Sequence, residues 1–267
     1  IMSSDWSSDV CSSDLAPLVE FSLTNKRSED YALGVFLRHH SSTGKVTLAN
    51  DERAPAGYAD NRLKLFGKKF YDHAVLDGDL SVSSNTRYFY GYDVSLADTS
   101  LDDKKEIKQN FFRFQAGAGL KSTYIDSTHL NYDFQLDYHH LGDRFESAEN
   151  RVVFTGELDK YYDQNHLGLQ TGIHYLDRAF PTDTSSHTLV HLKPWVARFG
   201  DGWRVKGGVN FFADAAGGNT TTRLYPVGSV EYDIISQYII PYGGIDGRLE
   251  LNPYDHIAGE NPFVRPG

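Results

Sequence analysis

The residues best suited to chemistry are the histidines. His39 and His40 are adjacent, as are His139 and His140, and imidazole is the commonest metal ligand. Neighbours on an extended chain point to opposite faces, so neither pair can hold one ion without bending the backbone. His166, Gln170 and His174 share a face under two-residue alternation. On such a strand, however, the two histidines lie about 26 Å apart, too far for one site. Asp133 and Asp137 would lie about 13 Å apart, beyond the carboxylate spacing of either glycosidase arrangement. Gly117-Ala118-Gly119-Leu120-Lys121-Ser122 resembles a phosphate loop superficially but lacks the glycine before the lysine and falls inside a strand pattern. Its glycines are expected to relieve crowding or permit curvature. No serine and histidine stand out as a hydrolase pair. Asn219-Thr220-Thr221 matches a glycosylation sequon, which has no consequence if the source is bacterial. The expectation is therefore no catalytic residue, no cofactor and no metal site.

The elements that would carry these residues are strands. From Leu130 to His139, apolar or aromatic residues occupy every even position and polar residues every odd one. Such alternation fits a half-buried strand, whereas a helix would mix the two sets on one face. The pattern recurs at Phe112 to Lys121 and His166 to Tyr175. Weaker forms cover Val19–Leu23, Tyr31–Leu37, Leu63–Phe70, Ala74–Val82, Arg87–Tyr92, Val152–Leu158, Val190–Val196, Trp203–Ala213, Leu224–Tyr232 and Pro241–Leu251. This predicts about thirteen strands, within a range of 12 to 14, and no helix. Gly200-Asp201-Gly202 and Ser84-Asn85-Thr86 read as tight turns. Ser41–Asn61, Asp93–Lys105 and Asp177–Ser186 read as long polar loops. The fold class is all-β, an antiparallel up-and-down meander in one unit.

Composition narrows the class. The 267 residues are 40% hydrophobic and 13% aromatic, too rich for a disordered chain. No apolar run is long enough for a transmembrane helix, but membrane strands need only alternate apolar residues. The net charge of −10 points away from a phosphate-binding surface, and no nucleic-acid partner is expected. Asp5 to Leu15 match the conceptual translation of a common sequencing adapter. Residues 1–15 are thus expected to be an artefactual tail, and 16–267 a piece of a longer chain truncated at both ends. Without the tail's three Asp the net charge is −7, and the lone Cys11 disappears too.

Strand length selects the kind of sheet. Sandwich strands run about 5 or 6 residues, whereas bilayer-crossing strands need about 9 to 11, the length seen here. The polar side would line a wet lumen, through Asn131, Asp133, Gln135, Asp137, His166, Gln170, His174, Arg204 and Lys206. The other side would meet lipid, through Leu130, Phe134, Leu136, Leu169, Ile173, Val205 and Val209. Tyr31, Tyr92, Tyr138, Tyr175, Trp203 and Tyr232 fall at or near strand ends on the apolar side, where interfacial aromatic girdles sit. A soluble sandwich or open barrel is the competing reading.

Pro17-Leu18-Val19-Glu20, Asn25-Lys26-Arg27-Ser28, Leu37-Arg38-His39-His40-Ser41-Ser42-x-Gly44-Lys45, Pro241-Tyr242-Gly243-Gly244-Ile245-Asp246-Gly247 and Glu260-Asn261-Pro262-Phe263 carry a resemblance. They resemble the barrel portion of outer-membrane proteins of the TonB-dependent receptor-like group. The resemblance implies the cell outer membrane of a Gram-negative bacterium, with membrane lipid as partner, and nutrient uptake driven by a periplasmic energy-coupling protein through a further N-terminal segment. Two other functions stay open: an outer-membrane barrel with a structural or surface-interaction role, and a soluble carbohydrate-binding sheet. No ligand is identified.

Overall fold

A computed structural model describes residues 15–25, 28–47, 53–88, 107–124, 128–235 and 238–264. Its strands are β1 (Leu18–Thr24), β2 (Tyr31–Ser42), β3 (Lys45–Thr47), β4 (Arg53–Pro55), β5 (Tyr58–Phe70), β6 (Ala74–Tyr88), β7 (Lys108–Ser122) and β8 (Asn131–Asp143). They continue with β9 (Ala148–Tyr162), β10 (Asn165–Ala179), β11 (Thr184–Gly200), β12 (Trp203–Ala216), β13 (Asn219–Tyr232) and β14 (Tyr242–Ile245). One helix, α1 (Tyr254–Glu260), follows.

Twelve strands form one antiparallel sheet in the order β1-β2-β5-β6-β7-β8-β9-β10-β11-β12-β13-β14. Each pairs with its neighbour in sequence, apart from the β3–β4 hairpin carried on the β2–β5 connection. This is the expected meander. Register follows tight turns: Asp201-Gly202 joins β11 to β12 with Gly202 at φ 73°, and Gly217-Gly218 joins β12 to β13 with both φ positive. Glycine reaches that region without penalty, and two such residues suit the twist of a hairpin. β11 has 17 residues, and β6, β7, β9 and β10 have 15 each. At about 3.3 Å per residue these exceed what a bilayer crossing needs.

Five sequence expectations are corrected. Ser84-Asn85-Thr86 is no turn but lies inside β6, which also absorbs the expected strand start at Arg87. Its turn-type residues are used for cross-strand bonds: Ser84 and Thr86 hydroxyls donate to Asn110 at 3.0 and 2.9 Å, and the Asn85 amide donates to Asp60 at 2.7 Å. Asp177–Ser186 is mostly strand, only residues 180–183 forming the connection. Ser41–Asn61 shrinks likewise, because β2 runs to Ser42 and β5 begins at Tyr58. Pro241–Leu251 pairs only over four residues before the chain leaves the sheet, and the helix that follows was not expected. The Asp93–Lys105 loop and Tyr92 lie outside the described residues, as do residues 1–14; Leu15 bonds to Thr43 beside β1.

Little of the sheet is covered. The buried apolar cluster is small, Phe111, Leu141, Tyr254 and Ala258 with Phe180 and Val264 against it, and it forms where the C-terminal segment meets β7 and β8.

Candidate functional site

Alternation gives the sheet two faces with different chemistry. The inner face is the one that carries the C-terminal segment, and register carries the assignment from strand to strand. On β8 it holds Asn131, Asp133, Gln135 and Asp137, which pair with Asp159, Glu157, Thr155 and Val153 of β9. On β10 it holds His166, Gln170 and His174, opposite Ala197, Lys193 and Leu189 of β11; on β12 it holds Arg204 and Lys206. All nine polar residues singled out from the sequence therefore lie on one face.

Partners on that face come from neighbouring strands. His166 bonds Asp159 at 2.8 Å, Gln170 donates to Glu157 at 3.0 Å, and Lys121 pairs with Asp133 at 3.1 Å. Lys206 lies 4.0 Å over the Trp195 ring, His166 packs edge-on to the same ring at 4.7 Å, and Tyr161 stacks on His166 at 3.8 Å. Gly168 and Gly208 make the slot for Trp195: an added Cβ would come within 2.2 Å of the ring at Gly168 and 2.9 Å of the Trp195 Cβ at Gly208. Gly117 and Gly119 make room for carboxylates, since a Cβ there would lie 2.8 Å from Asp137 and Asp77 respectively. That is the expected relief of crowding, not a phosphate loop.

The outer face is apolar and uncovered. Leu136 is 50% exposed, and Val205, Val209 and Ile173 also stand open; Phe134 stacks on Phe154 at 6.2 Å, and Leu169 shares the face. Leu130 is exposed just before β8. The exposed series continues through Leu23, Leu37, Leu65, Leu80, Phe112 and Leu224, from β1 to β13. Tyr31, Trp203 and Tyr232 stand on this face at the end of the sheet that carries the β11–β12 turn, the last two being cross-strand partners. Tyr138 and Tyr175 share a row further along, both opposite Val152 of β9.

The histidine pairs divide as alternation requires. His39 bonds Asn61 at 2.7 Å on the outer face, while His40 bonds the Tyr58 hydroxyl at 2.8 Å on the inner one. His140 turns outward to Asn150 at 2.9 Å, with His139 on the opposite side. Among the described residues no three His, Asp or Glu side chains converge as a metal site.

What sequence reasoning missed is the crossing segment. After β14 the chain passes over the inner face, tied by Lys193 to Asp246 at 2.5 Å and by the Asn210 amide to the Gly247 carbonyl at 2.9 Å. Arg178 then donates to the Asn252 carbonyl. Glu149, 3% exposed, accepts from Arg178 Nε at 2.9 Å and from the backbone N–H groups of Tyr254 and Asp255 at 2.6 and 3.2 Å. Those are otherwise orphan donors of a helix start whose own cap, Pro253, offers no side chain. Arg113 holds Asp255 at 2.5 Å, and the Tyr254 hydroxyl donates to Asp143 at 3.2 Å. Burial first, then the Asp143 charge, push the Tyr254 phenol far above its ordinary range, so it remains a donor. The nearest sequence signal was Asn252-Pro253 ahead of Asp255, too short to show periodicity.

Under α1 lies a cavity of about 630 Å³ whose lining includes Arg38, Asp60, Arg62, Asn85, Arg87 and Arg113. Arg87 grips Asp60 with both nitrogens, at 2.7 and 2.9 Å.

No protein-family model and no curated relative matches the sequence. Solved structures similar in fold include the ferric yersiniabactin uptake receptor FyuA of Yersinia pestis, with TM-score 0.52 at 14% sequence identity. The likeness covers 83% of this chain and 43% of that one, so the chain spans less than half the length of the receptor it matches. The fold likeness agrees with the resemblance drawn from the barrel motifs.

Proposed function

We propose that this chain is wall of a bacterial outer-membrane β-barrel of the TonB-dependent receptor-like kind, whose function is the uptake of a nutrient. The observation that carries this reading is the outer face. Large apolar side chains stand exposed from β1 to β13, while the opposite face is ion-paired and hydrogen-bonded. Soluble proteins rarely expose a contiguous apolar patch above a few hundred Å², and lipid is the solvent that removes the penalty.

The aromatic rows match this setting. On β10, Asn165 is the cross-strand partner of outward Tyr162, and Tyr175 lies ten residues further along. Ten residues span roughly 33 Å along a strand, or about 25 Å of height at a tilt near 40°, which is the height of a membrane barrel's apolar band. Asn131, Asp133, Gln135, Asp137, His166, Gln170, His174, Arg204 and Lys206 then line the lumen. Lipid covers the other face, and an energy-coupling periplasmic protein is the partner that uptake requires.

Tryptophan fluorescence in vesicles tests the membrane reading. With Trp6 and Trp195 replaced by Phe, Trp203 at the rim of the outer face is the only indole left. Lipids brominated near the headgroup should quench it strongly, and aqueous iodide weakly. The reverse order would remove the outer face from lipid and sink the proposal.

A further inference from the structure

The cavity beneath α1 has an unbalanced floor. Reading across the inner face, Cα partners form the row Glu20, Arg38, Arg62, Ser83, Arg113, one residue from each of β1, β2, β5, β6 and β7. Three guanidinium groups share that row with one carboxylate. Arg38 takes Glu20 at 3.3 Å, and Arg113 is answered from above by Asp255 of α1 at 2.5 Å. Arg62, exposed on the cavity floor, has no ion-pair or hydrogen-bond partner among the described residues, although it stands directly opposite Arg38, itself about half exposed. Like charges directly opposite across two strands repel, and arginine cannot shed its proton to escape. The cavity lining also holds Arg87, paired with Asp60, and the carboxylate of Glu260, so four arginines stand against three carboxylates. That small cationic excess is a local departure in a chain with more acidic than basic residues overall.

From this geometry we infer that the cavity is a binding site for a small oxyanion, a carboxylate or phosphate group held between Arg62 and Arg38. A planar guanidinium offers a fork of donors that matches either group in two parallel bonds. The volume, about 630 Å³, falls in the range of small-molecule sites. The Ser83 hydroxyl beside Arg62 adds a neutral donor, and α1 supplies the roof. Asp255 shows what the site accepts, since that carboxylate already occupies the equivalent place over Arg113. The inference rests on the proposed function only in taking the inner face as wet; it requires neither lipid on the outer face nor uptake.

Isothermal titration of the full chain, folded in detergent at low ionic strength, tests it with citrate and inorganic phosphate as separate probes. Saturable binding of either supports the site, and the probe that binds more tightly identifies the group. Arg62→Gln should weaken binding at least tenfold, Arg62→Lys should restore part of it, and Lys160→Gln on the outer face should leave it unchanged. Added salt should weaken it further, because the charges face water. Far-UV circular dichroism of each variant separates lost binding from lost folding. No saturable binding by the folded chain, or equal binding by Arg62→Gln, would overturn the inference. Binding that persists while Trp203 is quenched by iodide and not by lipid would sink the membrane reading and leave this one standing.

Discussion

At the scale of single residues, the inner face depends on groups that answer one another across strands. Glu149 is the clearest case, a buried carboxylate joining Arg178 of β10 to the first two N–H groups of α1. Hydrogen bonds to a charged group contribute about 1.5–3 kcal/mol, and Glu149→Gln weakens all three at once. The expected outcome is a loss of about 2–3 kcal/mol, read as a fall of roughly 4–12 °C in the thermal midpoint in detergent. An unchanged midpoint would mean that the segment is held elsewhere. Glycines give a second, paired prediction. A Cβ at Gly168 would enter the Trp195 ring, whereas one at Gly207 meets nothing within 4 Å. Gly168→Ala should therefore cost about 1–3 kcal/mol, the range for overpacking, while Gly207→Ala is neutral or slightly stabilising. Equal midpoints for the two variants would remove the slot from the account of Trp195.

At the scale of elements, each strand carries two kinds of side chain, polar on one face and apolar on the other, and a single step along it changes the face. β8 offers the sharpest comparison, since Gln135 lies on the inner face and Leu136, 50% exposed, on the outer. On a soluble protein an exposed leucine replaced by arginine changes stability by no more than about 0.5 kcal/mol. At a bilayer midplane the same change costs about 2–4 kcal/mol. Leu136→Arg should therefore lower folding free energy in vesicles by that larger amount, with Gln135→Arg close to neutral. Equal tolerance at both positions, measured by urea unfolding from vesicles, would favour a soluble sheet.

At the scale of the whole molecule, the sheet ends in two strands whose outer edges have no partner among the described residues, β1 and β14. An unpaired edge is a template for another chain, and in hydrocarbon each unsatisfied backbone group costs several kcal/mol. The chain expressed alone should therefore associate, eluting from a sizing column in detergent as dimers or larger species. A monodisperse monomer that shifts its gel mobility on heating would show instead that both edges are covered. The segment across the inner face adds tertiary contacts of long range, Arg113 reaching Asp255 from 142 residues away. It does not seal the edges.

Which residues share a face was legible in the sequence, because side-chain direction in a strand depends on position along the chain alone. Leu130 to His139 needed no partner strand to separate Asp133 and Asp137 from Phe134 and Leu136, and the meander followed from strands of one kind joined in order. Strand ends were less legible. Ser84-Asn85-Thr86 has turn composition, yet Asn110 and Asp60 on neighbouring strands satisfy those side chains and let β6 run on. The cavity beneath α1 was not legible at all. Arg38 and Arg62 are opposed by register, Arg113 and Asp255 by the path of a segment that leaves the sheet after four paired residues, and α1 is too short to show a period. Alternation is a local property of the backbone; adjacency between residues far apart in sequence is decided only when the sheet assembles and the last segment crosses it.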